Sequence, residues 1–341
     1  MATRSVIVDD SSSLITYQGD TWFEYPVFDT QFGRFGTPIG SKLHGTGQNA
    51  SFSFAFAGTA VSVWGPNELT SNVTWECFVD GINTSNSDII VLESNPSILC
   101  DKGQLEDKSH TLTLSAVVPT DDEFWFDQIQ YTPSPEGSLE NQMIFIESND
   151  PEITYGSGWV SMDGIGYATK ETSSTFDFEF TGVSLSWYSW LSPDFSTNLA
   201  TASYTIDKGS PNQLNVTGPF GVQRMTPTFN LKLFETPTLE MGQHTLSVVY
   251  NGNENTAPLS LNYLIVQNGT STSSNDPSTA NINHNSKRNV GAIVGGVISG
   301  AVFIACLVFG LAFLRKRRRE RQIRHHRRKY SNLDRDLKYL K

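Results

Sequence analysis

Phe52-Ser53-Phe54-Ala55-Phe56-Ala57-Gly58 alternates aromatic and small residues, and Phe176-Asp177-Phe178-Glu179-Phe180-Thr181-Gly182 does so again. Period-two alternation turns every second side chain to one face, so each stretch predicts a half-buried strand with its phenylalanines inward. A Val-Ser run follows both times: Val61-Ser62-Val63-Trp64 after Gly58-Thr59, and Val183-Ser184 after Gly182. The glycine between the runs predicts a break and then a second strand.

Working outward, the same order of signals occurs twice. Val8-Asp9, Ile15-Thr16-Tyr17 and Trp22 return as Ile146-Glu147, Ile153-Thr154-Tyr155 and Trp159. Cys77-Phe78-Val79-Asp80 returns as Tyr204-Thr205-Ile206-Asp207, and His110-Thr111-Leu112 as His244-Thr245-Leu246. Phe126-Asp127-Gln128-Ile129 returns as Leu261-Asn262-Tyr263-Leu264. The offset drifts between 124 and 138 residues, so loop lengths differ while strand order holds. Thr74 to Val79, His110 to Val118 and Phe124 to Tyr131 predict further strands, and no window before residue 268 carries a helical stripe. Two tandem antiparallel β-sandwich domains of the jelly-roll kind are expected, at 1–134 and 140–268.

The Ile-x-Tyr-x-x-x-x-Trp opening, the Phe-x-Phe-x-Phe-x-Gly-Thr-x-Val-Ser-Val pair, the Val-Asp-Gly turn and the closing His-Thr-Leu and Phe-Asp-x-Ile-x-Tyr carry a family resemblance. Residues 6–268 resemble the galactose-binding-like β-sandwich, as it occurs in tandem in single-pass surface proteins of fungi. These are core and turn positions, so the resemblance implies a fold more than a ligand. The copies also differ, with Asp127 matched by Asn262 and Cys77 by Tyr204.

Beyond the second copy, 269–289 is rich in Ser, Thr and Asn and reads as a disordered stalk. Val290 to Leu314 holds no charge, and as a helix it reaches about 37 Å against a hydrocarbon core of about 30 Å. One transmembrane α-helix in contact with membrane lipid is therefore expected. The tail 315–341 carries 13 Lys/Arg and three Asp/Glu, whereas residues 1–314 carry a net charge of −21 out of a total of −11. The positive-inside rule puts the basic tail in the cytoplasm and the acidic part outside, at the plasma membrane. An acidic outer part excludes nucleic acid as a partner. The N-terminus shows no apolar run of the signal-peptide kind, so a lost leading exon, a span acting as reverse signal-anchor and a tail-anchored cytosolic protein compete. The basic tail favours the first two. Gly291-x-x-x-Gly295 and Gly296-x-x-x-Gly300 allow a homodimer through the span.

Cys77 and Cys100 are the two cysteines outside the span, and either pair as a disulfide in an oxidising compartment or remain buried thiols. Asn49, Asn72, Asn83, Asn215 and Asn268 head N-glycosylation sequons. No metal spacing, phosphate loop or nucleophile elbow occurs, so neither metal nor cofactor is expected. His44 has no histidine counterpart in the second copy, Tyr167 standing nearby instead, and Asp80-Gly81 reads as a turn. Asp127 sits beside a core strand. Candidate ligand-binding residues are Trp22, Tyr25, Phe32 and His44 in the first copy and Trp187, Tyr188 and Trp190 in the second, aromatic faces being what sugars stack on. The expectation is a non-enzymatic surface glycoprotein that binds glycan or another surface protein. The alternatives are a membrane-anchored glycoside hydrolase or esterase, and a ligand-free spacer.

Overall fold

The first repeat forms β1 (Ser5–Asp9), β2 (Ile15–Gln18), β3 (Trp22–Pro26), β4 (Lys42–Thr46), β5 (Ala50–Gly65), β6 (Thr74–Val79), β7 (Ile82–Asn83), β8 (Ser97–Lys102), β9 (Lys108–Val117), β10 (Phe124–Phe126) and β11 (Gln128–Pro133). The second forms β12 (Met143–Glu147), β13 (Thr154–Tyr155), β14 (Trp159–Ser161), β15 (Tyr167–Thr169), β16 (Thr175–Gly182), β17 (Ser184–Leu191), β18 (Ala200–Ile206), β19 (Asn212–Val216), β20 (Thr228–Glu235), β21 (Gly242–Tyr250), β22 (Leu259–Leu261) and β23 (Tyr263–Gln267). The computed structural model describes residues 4–26, 38–66, 72–84, 97–162, 164–220 and 227–270, all within one unit, Met1–Ser273. Among them the protein is all-β with antiparallel pairing, plus a short 3-10 turn at Ile39–Ser41. No helix of the described residues is long and apolar enough to cross a membrane, and the expected span at 290–314 lies outside them, as do 271–289 and 315–341.

Strand order repeats along with sequence. In the second copy a five-stranded sheet runs β13-β16-β21-β18-β19 and a three-stranded one β14-β15-β22. The first copy matches them with β2-β5-β9-β6-β7 and β3-β4-β10. The remaining strands, β20-β17-β23-β12 and β1-β11-β5-β8, each make a four-stranded layer. These two layers join edge to edge, because β1 pairs antiparallel with β12 through Ser5–Phe145, Val6–Ile144 and Ile7–Met143.

The expected break at Gly58 is absent: Ala50–Gly65 is one 16-residue strand. Its first half pairs with β9 and its second with β11 and β8, so it bends from one layer into the other without ending. In the second copy the strand does stop, β16 and β17 being separated at Val183. A glycine serves the corner both times, since an added Cβ would press on the carbonyl of Thr132 at Gly58 and of Gln267 at Gly182. The expected strand Phe124 to Tyr131 is split in turn, Asp127 dividing β10 from β11.

Each copy packs its own core. Phe52, Phe54, Phe56, Val63, Leu112, Leu114, Phe126 and Ile129 fill the first, Phe176, Phe178, Phe180, Trp187, Leu246, Val248 and Tyr250 the second. The inward phenylalanines of the opening stretch and its repeat thus bury as the alternation dictates. Cys77 and Cys100 form a disulfide in the first core. Where the copies meet, the Arg4 guanidinium holds Asp150 at 2.9 Å and Glu152 at 2.6 Å and lies 5.6 Å from the centre of the Phe178 ring.

Candidate functional site

Side chains of the joined layer that point away from the cores make a second, shared face. On β1, Val6 and Val8 enter the first core while Ile7 turns outward; on β12, Ile146 enters the second core while Phe145 turns outward. Ile7, Ile39, Tyr188, Tyr263 and Ile265 form an apolar cluster on this face, with Phe145 against it. Tyr188 stacks on Tyr263 with ring centres 4.6 Å apart, and Phe145 tilts against Tyr263 at 4.8 Å. Beside the cluster opens a cleft of about 530 Å³, within the range of about 300–1,000 Å³ usual for ligand pockets.

Both copies build the cleft. Ile7, Trp64, Gln128 and Gln130 come from the first; Phe145, Glu147, Ser148, Asn149, Tyr167, Asn230, Asn262 and Tyr263 come from the second, with the turn Gly164–Gly166. Register explains the convergence. Gln128 pairs with Trp64 across β11 and β5, and Glu147 with Tyr263 across β12 and β23. The Tyr263 hydroxyl donates to Oδ1 of Asn230 at 3.1 Å, and Nδ2 of Asn262 donates to the Ile165 carbonyl at 2.6 Å, which ties the turn down. Oε1 of Gln128 and Oδ1 of Asn262 are buried and receive no hydrogen bond from the protein. Neither oxygen has surface open to the cleft, and an uncompensated buried acceptor of this kind costs about 1–3 kcal/mol. Among the described residues lining the cleft, Glu147 is the one that carries a charge.

The corresponding position of the first copy is closed and acidic. Tyr17 stacks on His44 at 4.6 Å as Tyr155 stacks on Tyr167 at 4.4 Å, and the Tyr17 hydroxyl donates to the Asp10 carbonyl as Tyr155 does to that of Ser148, each at 2.6 Å. Asp10, His44 and Asp127 therefore stand where Ser148, Tyr167 and Asn262 stand in the second copy. The backbone N–H of His44 donates to Oδ2 of Asp10 at 2.6 Å, and that of Ile39 to Oδ1 of Asp127 at 3.1 Å. Ile39 covers the group. Burial pushes the Asp10 carboxyl up to about 6. Burial, then the charges of Asp10 and Asp9, hold the Asp127 carboxyl well above its ordinary range. With Asp10 fully buried and Asp127 2% exposed, substrate does not reach this group.

Of the described residues expected to bind ligand, the structure brings none into the cleft. Trp187 is fully buried in the second core, Trp190 lies in a cluster with Phe195 and Phe229, and Tyr188 supports the shared face, so none of the three shows an open aromatic surface. Trp22 leans on the first core beside Tyr17. Tyr25 stays exposed on β3, with its ring 5.6 Å from that of Trp125. His44 is held between Asp10 and Tyr17, and Phe32 lies outside the described residues. The sequence marks the cleft residues only by scattered amides, Gln128 and Gln130 on β11 beside the core residue Ile129, and Asn262 between β22 and β23.

The five sequon asparagines separate by environment. Asn49, Asn72, Asn83 and Asn215 are exposed, with Oδ1 of Asn49 accepting from the Val118 N–H at 2.9 Å and Nδ2 of Asn83 donating to Glu76 at 3.4 Å; Asn268 is half-buried, its amide donating to the Leu139 carbonyl at 2.9 Å and accepting from Gly269 at 3.0 Å.

An aromatic and amide cleft shared by two joined sandwiches is the class of site the fold defines. No protein-family model matches the chain. It is 26% identical over 265 residues to the A type blood alpha-D-galactosamine galactosaminidase of Flavonifractor plautii, an alignment covering 75% of this chain and 22% of that protein. The chain thus spans about a fifth of that relative's length. Among solved structures it is similar to a two-domain esterase (CEX) active on acetylated mannans, with 15% identity, a TM-score of 0.31 and coverage of 41% and 40% of the two chains. It is also similar to a family two carbohydrate esterase from Cellvibrio japonicus, with 16% identity, a TM-score of 0.29 and coverage of 38% and 34%. The match to a galactosaminidase runs against the expectation of a non-enzymatic protein.

Proposed function

We propose that the protein is a glycoside-active enzyme of the glycosidase class, with the cleft across β1, β11, β12 and β23 engaging the saccharide. The observation that carries this is the cleft itself: about 530 Å³ walled by Trp64, Phe145, Tyr167 and Tyr263, with amides and one carboxylate converging on it. Aromatic faces stack on the apolar faces of a pyranose ring, and amides read its hydroxyls. Glycoside hydrolysis uses two carboxyl groups as a rule. The described lining supplies one, so Glu147 is assigned the carboxyl role at the bond being cut, and the cleft accounts for sugar engagement and half of the chemistry. The relative's activity on a galactosamine-containing glycan supports the choice of glycosidase over esterase. Residues 290–314 would hold the enzyme on a membrane, acidic part outward.

The test is sugar release by the full chain from a panel of α-linked galactosides and galactosaminides. Release is expected, with Glu147→Gln reducing it by about a hundredfold or more while leaving saccharide binding in place. Retention of saccharide without release would put the reaction outside this chain, and neither retention nor release would remove the cleft from consideration.

A further inference from the structure

The cleft is long, and its two ends come from different copies. Trp64 on β5 pairs with Gln128 on β11, which pairs in turn with Asp9 on β1. Two residues back along β1, Ile7 meets Met143 of β12, and Glu147 lies four residues further in the same direction. From Trp64 to Glu147 is thus three strand spacings across the joined layer and six residues along it. At about 4.8 Å per strand and about 3.3 Å per residue, the two positions stand on the order of 20 Å apart. A chain of pyranoses advances by about 5 Å per sugar, close to one strand spacing, so a single ring covers only about a quarter of that distance.

The walls between the two ends suit sugar along their whole length. Gln130, Phe145 and Tyr167 are half-buried, and Asn149 and Ser161 are exposed. Amides and hydroxyls both donate and accept, as the hydroxyls of a sugar do. Trp64 is half-buried as well, and its indole is oriented from the side, Nε1 donating to Oγ of Ser62 at 2.7 Å. From this layout we propose that the cleft takes an oligosaccharide of about four sugars, lying diagonally across the joined layer with one unit stacked on Trp64 and the bond to be cut at Glu147. The inference rests on the cleft being the saccharide site and adds the length of chain it recognises. A single sugar meets one end at a time. A chain that reaches both ends adds their contributions without a second loss of translational freedom.

Calorimetric titration of the full chain with galactose, with mannose and with the linear di-, tetra- and hexasaccharides of each tests it. Affinity is expected to rise at least about tenfold from monosaccharide to tetrasaccharide and to level off from there to hexasaccharide. Trp64→Ala should erase that rise, and Trp64→Phe, which restores an aromatic face, should recover part of it. The rise itself is read on the unaltered protein, so damage to the fold by either variant cannot imitate it. A monosaccharide bound as tightly as the longest oligomer would overturn the inference while leaving the cleft as a saccharide site, and so would a rise that survives Trp64→Ala. Absence of binding by every sugar would overturn both.

Discussion

Nδ1 of His110 lies 2.7 Å from Oδ2 of Asp80, and the same 2.7 Å separates His244 from Asp207 in the second copy. Each ring's Nε2 is 2.8 Å from a backbone carbonyl, that of Glu106 or of Glu240. Both nitrogens of each ring therefore face acceptors, which only an imidazolium satisfies. The Glu106 carbonyl, and after it Asp80, raises the pKa of His110 against the opposing effect of burial. The Thr111 backbone N–H, and after it His110, lowers that of Asp80.

The sign of the pH dependence follows. A raised histidine pKa gives stability that is full below the ordinary value of about 6.5 and is lost as pH climbs through the folded value. A lowered aspartate pKa gives stability present above about 3.9 and lost as pH falls through the folded value. The melting-temperature difference between wild type and the double variant His110→Gln, His244→Gln should be largest between about pH 4 and 6.5 and should close at alkaline pH.

Asp127 and Asn262 occupy one repeat position in different chemistry. Because the buried Asp127 carboxyl titrates well above its ordinary range, the folded state holds a proton there that the unfolded chain releases, and stability falls as pH rises. Asp127→Asn keeps the acceptor for the Ile39 N–H and removes that linkage. At pH 8 the variant should melt about 2 °C or more above wild type, and at pH 4 the two should converge. A lower melting temperature at pH 8 would show that the carboxylate itself is wanted there.

Arg4 joins the copies through Asp150, whose side chain is 2% exposed. Arg4→Met leaves that carboxylate buried without its partner and should cost about 3 kcal/mol in denaturant unfolding. Adding Asp150→Asn should restore a good part of the loss, since no charge is then stranded.

The Cys77–Cys100 bridge spans 23 residues of sequence. Replacing both cysteines with Ala should cost about 3 kcal/mol by the chain-entropy argument. The effect should disappear when wild type and variant are compared under reducing conditions.

Trp64 and Trp187 separate function from packing. Trp64→Ala is expected to abolish saccharide binding at little cost to stability, whereas Trp187→Ala, in a fully buried site, should cost about 3–5 kcal/mol. Equal destabilisation by both would make Trp64 a packing residue.

The repeat was legible because strand alternation and turn chemistry are local, and Tyr17 with Tyr155, or Phe52 with Phe176, hold matching places in both. What eluded the sequence depends on non-local geometry. Nothing local distinguishes Gly58, where a strand bends and continues, from Gly182, where it stops, because neighbouring strands decide. Nor does an aromatic run such as Trp187-Tyr188-x-Trp190 tell which way each ring faces; here one enters the core, one supports the shared face and one enters a lateral cluster. The cleft was invisible for a further reason, since its walls come from both copies and exist only once β1 lies against β12.

That pairing also governs how the protein tolerates being taken apart. β1 and β12 are each the last strand of their own layer, so separating the copies near residues 134–140 bares two lengths of unpaired backbone. Bare strands of that kind recruit one another. A single copy made alone should consequently self-associate or precipitate, and proteolytic nicking in the linker should leave the halves bound rather than release them.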